Sequence, residues 1–164
     1  MPARISLSPA ARLTDVFCRG GMMVGLTARN RDEIVAEMIS RLVETGHIDE
    51  ANQAPLIKAV LARELMGSTA LGNGIAFPHC RTSLVNDFVG CIAVDRDGVG
   101  FQSLDRSPVH AVFLLIGPLD RREQFFDILA RISGLGRNTA WRYQLRSSRS
   151  PDDITSILEE IDAG

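Results

Sequence analysis

Apolar pairs recur at Ile34/Val35, Met38/Ile39 and Leu42/Val43, spaced at the helical period with polar residues between them. This pattern predicts a helix over residues 31–45 with one buried stripe, opened by an Asn30 cap with Glu33 three residues on. A second helix is expected over residues 50–65, with Asp49 as its cap and Leu56, Ile57, Val60, Leu61 and Leu65 facing inward. Asp87 to Val94 and the run PVHAVFLLI read as buried strands, with a turn from Asp95 to Gly100 between them. Asp120-Arg121-Arg122-Glu123 reads as the capped start of a helix reaching about Leu135, with Phe125, Ile128, Leu129, Ile132 and Leu135 on one face. Gly134, Gly136 and Asn138 close that helix. A last helix starts at Ser150-Pro151 and buries Ile154, Ile157, Leu158 and Ile161. Helices and strands mix without strict alternation and no repeat is visible, so the pattern predicts an α/β or α+β fold with a helix-covered sheet.

Length and charge narrow the classes. A chain of 164 residues is expected to form one domain, residues 1–164. It can bury about 68–70% of its unfolded surface. A net charge of −2 and a pI near 5.9 argue against a nucleic-acid or anionic-membrane binder. The longest uninterrupted apolar run, Ala111 to Ile116, is too short for a membrane span, and the first twenty residues show no secretory signal. Cys18, Cys80 and Cys91 are odd in number and lack Cys-x-x-Cys spacing. They point to reduced thiols in a cytoplasmic protein, with neither a disulfide framework nor a zinc site.

Residues 63–80, RELMGSTALGNGIAFPHC, concentrate the chemistry. Arg63 offers a fork of donors suited to phosphate oxygens. Ser68 and Thr69 add hydroxyls. Gly72, Asn73 and Gly74 form a turn whose peptide N–H groups can converge on an anion. Ile75, Ala76 and Phe77 read as a short strand that delivers His79 to a surface. His47 follows Gly46 at a helix end, where a cation suits the helix dipole, and His110 reads as structural.

The segment resembles the active-site signature of the enzyme IIA domains of the phosphoenolpyruvate:sugar phosphotransferase system, fructose/mannitol type. The stand-alone nitrogen-regulatory members are nearest in size. The matching residues are Arg63-Glu64, Gly67-Ser68-Thr69, Gly72-Asn73-Gly74, Ile75-Ala76-Phe77 and Pro78-His79-Cys80. Phe77 stands where an aliphatic residue is usual, and Cys80 where glycine is commonest. Cys80 reads either as a small residue in glycine's place or as a thiol whose oxidation blocks the imidazole. The resemblance extends over nearly the whole chain, including an opening helix around residues 7–13, a strand Val24 to Leu26 and an Asp105–Pro108 approach to a strand.

The resemblance implies a mixed sheet between helical layers and a phosphoryl group accepted on His79 from the phosphocarrier HPr. Arg63, Ser68, Thr69 and the Gly72-Asn73-Gly74 turn would hold its oxygens, and no metal or other cofactor is needed. It also implies a second histidine close to the first. Phe125 stands at that position, with Gln124 and Asp127 as the nearest polar alternatives. That departure, and a chain carrying no IIB or membrane component, favour a regulatory phospho-switch acting on a target protein. A carrier feeding a sugar-specific IIB component, or a degenerate binding domain, are the alternatives. Arg142, Arg146 and Arg149 form a basic cluster, read as solvated surface or as a docking patch.

Overall fold

The computed structural model describes residues 12–17, 21–70, 72–103 and 106–164. Its elements in chain order are α1 (Leu13–Phe17), β1 (Met22–Val24), α2 (Arg31–Glu44), α3 (Gln53–Leu65), β2 (Ile75–Ala76), β3 (His79–Thr82), β4 (Val89–Val99), β5 (Val109–Pro118), α4 (Arg122–Leu135), α5 (Thr139–Arg146) and α6 (Pro151–Ala163). The strands form one mixed sheet in the order β1-β4-β5, with β2 and β3 both beyond β5. β4 and β5 run antiparallel at its centre, and the other pairings are parallel.

Alternation along the central strands assigns each face its helices. Cys91, Ala93, Val112, Leu114 and Ile116 join the cluster built by α2 and α3. Ile92, Val94, Ala111, Phe113 and Leu115 join the cluster built by α1, α4, α5 and α6. The sheet is thus sandwiched between helical layers, with side chains pointing alternately to each. Asp162 ties α6 to α1. Its carboxylate accepts from Leu13 N (2.8 Å), Thr14 N (3.0 Å) and the Thr14 hydroxyl (2.7 Å), and pairs with Arg131 at 3.2 Å. None of the described helices is long and apolar enough to cross a membrane.

Several local expectations are corrected. The expected opening helix and Asp105 lie almost wholly outside the described residues. The first strand is Met22–Val24, earlier than expected. Asp49 makes no side-chain cap; a 3-10 turn, Glu50–Asn52, precedes α3 instead. On α3 the buried stripe runs Leu56, Val60, Glu64, whereas Leu65 is 75% exposed. The i, i+4 spacing carries the stripe to the glutamate. Residues 95–99 continue β4 instead of turning, with a register shift between Val94 and Val99. Asp95 explains the shift. It is buried at 4% exposure and accepts from Leu26 N, Arg29 Nη1 and Asp97 N, anchoring the loop after β1. Arg121 precedes α4 without capping it and pairs with Asp87 at 2.8 Å. Asn138 caps α5, a helix not anticipated, by accepting from Trp141 N.

Candidate functional site

β2 and β3 behave as one strand broken in the middle. Both pair with β5 in a single register, Ile75 with Ala111 and His79 with Leu115. At the break, Phe77 N donates to Thr69 Oγ1 (3.2 Å), Pro78 has no N–H, and Pro78 O accepts from Leu115 N. Alternation then sends Cys80 under α2 and α3, and sends Phe77 and His79 to the α4 side.

His79 lies between two rings. Phe77 stacks on it with centroids 6.1 Å apart, and Phe125 meets it edge-on at 5.6 Å. Phe125 occupies the neighbouring place where the resemblance implied a histidine. Its ring packs so closely over Gly117 that a Cβ there would fall 2.6 Å from it. His79 is only 7% exposed, not at the surface to which the strand was expected to bring it. Its Nδ1 lies 2.8 Å from the Phe77 carbonyl oxygen. A carbonyl only accepts, so Nδ1 carries the proton and the neutral ring keeps its lone pair on Nε2. Burial holds the imidazole below its usual pKa. The Phe77 hydrogen bond partly opposes this shift, and the positive charge of Arg63 reinforces it. The result is a neutral imidazole whose unprotonated Nε2 lies in the field of a cation.

The loop after α3 is fixed from within. Arg63 Nη1 donates to Gly67 O at 3.0 Å, holding the guanidinium across the helix end. Thr69 is buried. Its N–H donates to Glu64 Oε2 (3.2 Å), its hydroxyl donates to Glu64 Oε1, and that hydroxyl accepts from Phe77 N. Ser68 Oγ accepts from Ala70 N, which leaves its own hydroxyl proton to give. Glu64 and Phe77 are positioning residues; the sequence marked Phe77 only as part of the strand before His79, and Glu64 only as part of the motif. Period-two spacing from His79 was the available signal for Phe77.

The expected phosphate-binding residues divide into two groups. Arg63, in the last turn of α3, acts on His79 through its charge, and Thr69, in the loop that follows with Ser68 beside it, holds Phe77 N. Gly72, Asn73 and Gly74 do not reach the imidazole. They form a left-handed turn (φ 133°, 64° and 77°) that leads into β2, where Gly74 O accepts from His110 N and Ala111 N. Ile75 and His79 are four strand positions apart, about 13 Å at the usual rise. His110 Nδ1 lies 3.1 Å from Asp95 O, a structural contact, and His47 Nδ1 lies 2.9 Å from the Thr45 hydroxyl at the end of α2. Burial pushes the Cys80 thiol up to about 12, which favours the packing reading over a reactive thiolate.

The rim is apolar with cations. Phe126 is 46% exposed, with Arg81 and Arg122 over its ring at 5.8 and 5.6 Å. Leu65 and Met66 stand exposed at the end of α3.

Residues 21–161 match the family model described as "Phosphoenolpyruvate-dependent sugar phosphotransferase system, EIIA 2". A nitrogen regulatory protein of Bradyrhizobium diazoefficiens is 31% identical over 148 residues, covering 89% of this chain and 94% of that protein. The fructose-specific EIIABC component of Bacillus subtilis is 27% identical over 151 residues; the match covers 92% of this chain but only 24% of that larger protein. Among solved structures, the nitrogen regulatory protein IIA-Ntr from Neisseria meningitidis superposes with a TM-score of 0.80 at 24% identity, over 89% of this chain and 98% of that one. A complex of enzyme IIAMTL and phosphorylated enzyme IIBMTL from Escherichia coli gives 0.70 at 19% identity, over 86% and 95%.

Proposed function

Because this chain belongs to the EIIA 2 family of the phosphoenolpyruvate-dependent sugar phosphotransferase system, we propose that His79 is its phosphoryl acceptor, charged by an HPr-type phosphocarrier. The observation that carries this reading is the pinned Nδ1 proton, which leaves Nε2 as the free nucleophile next to Arg63. The Nε2–P bond forms as the N–P bond of the donor ring, itself protonated on its other nitrogen, breaks, and that ring departs as neutral imidazole. The His79 ring becomes an imidazolium that keeps its Nδ1 proton on the Phe77 carbonyl, so no proton need move. Arg63 and the Ser68 hydroxyl would hold the phosphoryl oxygens, with catalysis resting on position and charge. The exposed Phe126, Leu65 and Met66, with Arg81 and Arg122, offer a protein donor an apolar, cationic landing surface.

Downstream, the regulatory reading is favoured over the carrier reading. Phe125 places a hydrocarbon ring against His79 in the position of the family's second histidine, and nitrogen regulatory relatives align over nearly their full length. Phosphorylation would then act as a charge switch for a target protein in the cytoplasm. Transfer to a IIB component, as in the mannitol complex, is the alternative.

The test is phosphorylation by phosphoenolpyruvate, enzyme I and HPr, read by mass spectrometry beside His79→Ala. An acid-labile gain of one phosphoryl group, absent in the variant, is expected, and Arg63→Ala is expected to slow the gain without unfolding the protein. A folded wild-type chain that gains nothing would refute the assignment.

A further inference from the structure

A cleft of about 210 Å³ opens behind the Gly72–Gly74 turn, between the start of β2, β5 and α5. Its walls are mostly apolar, with Ile75, Leu145 and the Tyr143 ring among them, while Arg142, Arg146 and His110 supply its polar groups. None of the described residues lining it is acidic.

Arg142 supplies the second observation. Its Nη2 donates to the Thr139 hydroxyl at 3.1 Å, but its Nε is buried without a partner. Buried N–H groups on a charged side chain are rarely left without an acceptor, so the Arg142 guanidinium, on the wall of the cleft, is only partly satisfied by the protein. Arg146 lies one helical turn further on the same face of α5, with its Nε turned to the Arg96 carbonyl. The two guanidinium groups therefore flank an apolar hollow. An apolar cavity of about 150 Å³ already accepts benzene, so this one has room for a ring-sized body plus a charged group.

From this geometry we infer that the cleft binds a small organic anion, with a carboxylate or phosphate monoester held by Arg142 and Arg146 and an apolar body lying against Ile75, Leu145 and Tyr143. The site lies at the opposite end of the β2–β3 strand from His79. It uses the glycine turn that the resemblance had assigned to the phosphoryl group. The Arg142–Arg146 part of the basic cluster thereby acquires a ligand-binding role instead of a merely solvated one. The inference does not depend on phosphorylation of His79.

The experiment is a titration of the ¹⁵N-labelled protein with phenyl phosphate, benzoate, inorganic phosphate and benzyl alcohol, following the backbone amides of Gly74, Ile75, Ala111 and Leu145. Saturable shifts are expected for phenyl phosphate or benzoate below about 10 mM. Arg142→Gln/Arg146→Gln is expected to weaken them about tenfold or more, and Arg146→Gln alone, at an exposed position, by a smaller factor. Four outcomes would overturn the inference: no saturation, equal binding of inorganic phosphate, equal binding of benzyl alcohol, or unchanged affinity in both folded variants.

Discussion

Replacing Thr69 by valine tests how the imidazole is held. The side chains are nearly the same shape, so the change removes one hydroxyl with little effect on packing. Two polar groups lose their partner. Phe77 N, at the break between β2 and β3, has no other described acceptor, and Glu64, 2% exposed, keeps only the bond from Thr69 N. Leaving a buried donor or acceptor unsatisfied costs about 1–3 kcal/mol each, so the loss should total about 2–6 kcal/mol. With a urea m-value of about 2 kcal/mol/M, the unfolding midpoint should fall by roughly 1–3 M. Circular dichroism in urea measures this directly, and Thr69→Ser, which keeps the hydroxyl, should stay close to wild type. Loss of the anchor also frees Phe77, whose carbonyl orients His79, so phosphoryl acceptance should slow in Thr69→Val even at low urea. A midpoint within about 0.3 M of wild type would show that Thr69 does not anchor the loop.

The lowered pKa of His79 predicts that the rate of phosphoryl acceptance stays flat as pH falls through about 6.5 and drops only below it. A rate that halves near the unperturbed imidazole value would contradict this. The same shift makes the unfolded chain bind the proton first, so His79 should lower stability as pH falls from about 6.5 towards its folded pKa, measurable by urea melts across that range. Phe125→His should raise onward transfer to a IIB acceptor while costing about 2–3 kcal/mol, because a fully buried ring is exchanged for a polar one. Unchanged transfer in the folded variant would leave Phe125 as packing alone. At Asp162, burial raises the carboxyl pKa, but the bonds from Thr14 and Leu13 and the Arg131 charge outweigh it, and the net shift is downward. Its contribution is therefore present above the unfolded value near 3.8 and lost as pH falls through the folded one. Asp162→Asn should cost about 1.5–3 kcal/mol in urea melts at neutral pH, and the gap to wild type should narrow as pH falls below 3.8.

The fold was legible where periodicity was strong. α2, the β5 run and α6 with its Ser150-Pro151 start all follow their apolar spacing. Boundaries failed where a single polar side chain overrode local propensity. Asp95 reads as a turn former, yet its buried carboxylate lets β4 run on, and Glu64 takes the inward position that Leu65 had been expected to hold. α5 carries one buried residue, Leu145, and so has no stripe to read. The candidate site divides in the same way. Arg63 acts on His79 and Thr69 on the neighbouring Phe77 because the loop between α3 and β2 is tethered back onto Phe77 by Thr69, which spacing alone does not reveal. The glycine turn is close to His79 in sequence, but extended backbone separates residues faster than any other conformation. A five-residue offset that would be little more than a helical turn becomes most of a strand here.

The break at Phe77-Pro78 has a consequence for how copies of this chain meet one another. Among the described strands β2 and β3 pair only with β5, with Ile75 also bridged to Gly72, so they form one border of the sheet, and β1, three residues long, forms the other. An uninterrupted run from Ile75 to Thr82 would present a row of free backbone groups, the template on which foreign strands add and aggregates grow. Here the row is cut in its middle. One amide is turned back onto a threonine and the next residue has none to offer. The irregularity that turns the His79 imidazole toward Phe125 also protects the border against unwanted strand exchange, so a change that straightened this segment would risk solubility along with chemistry.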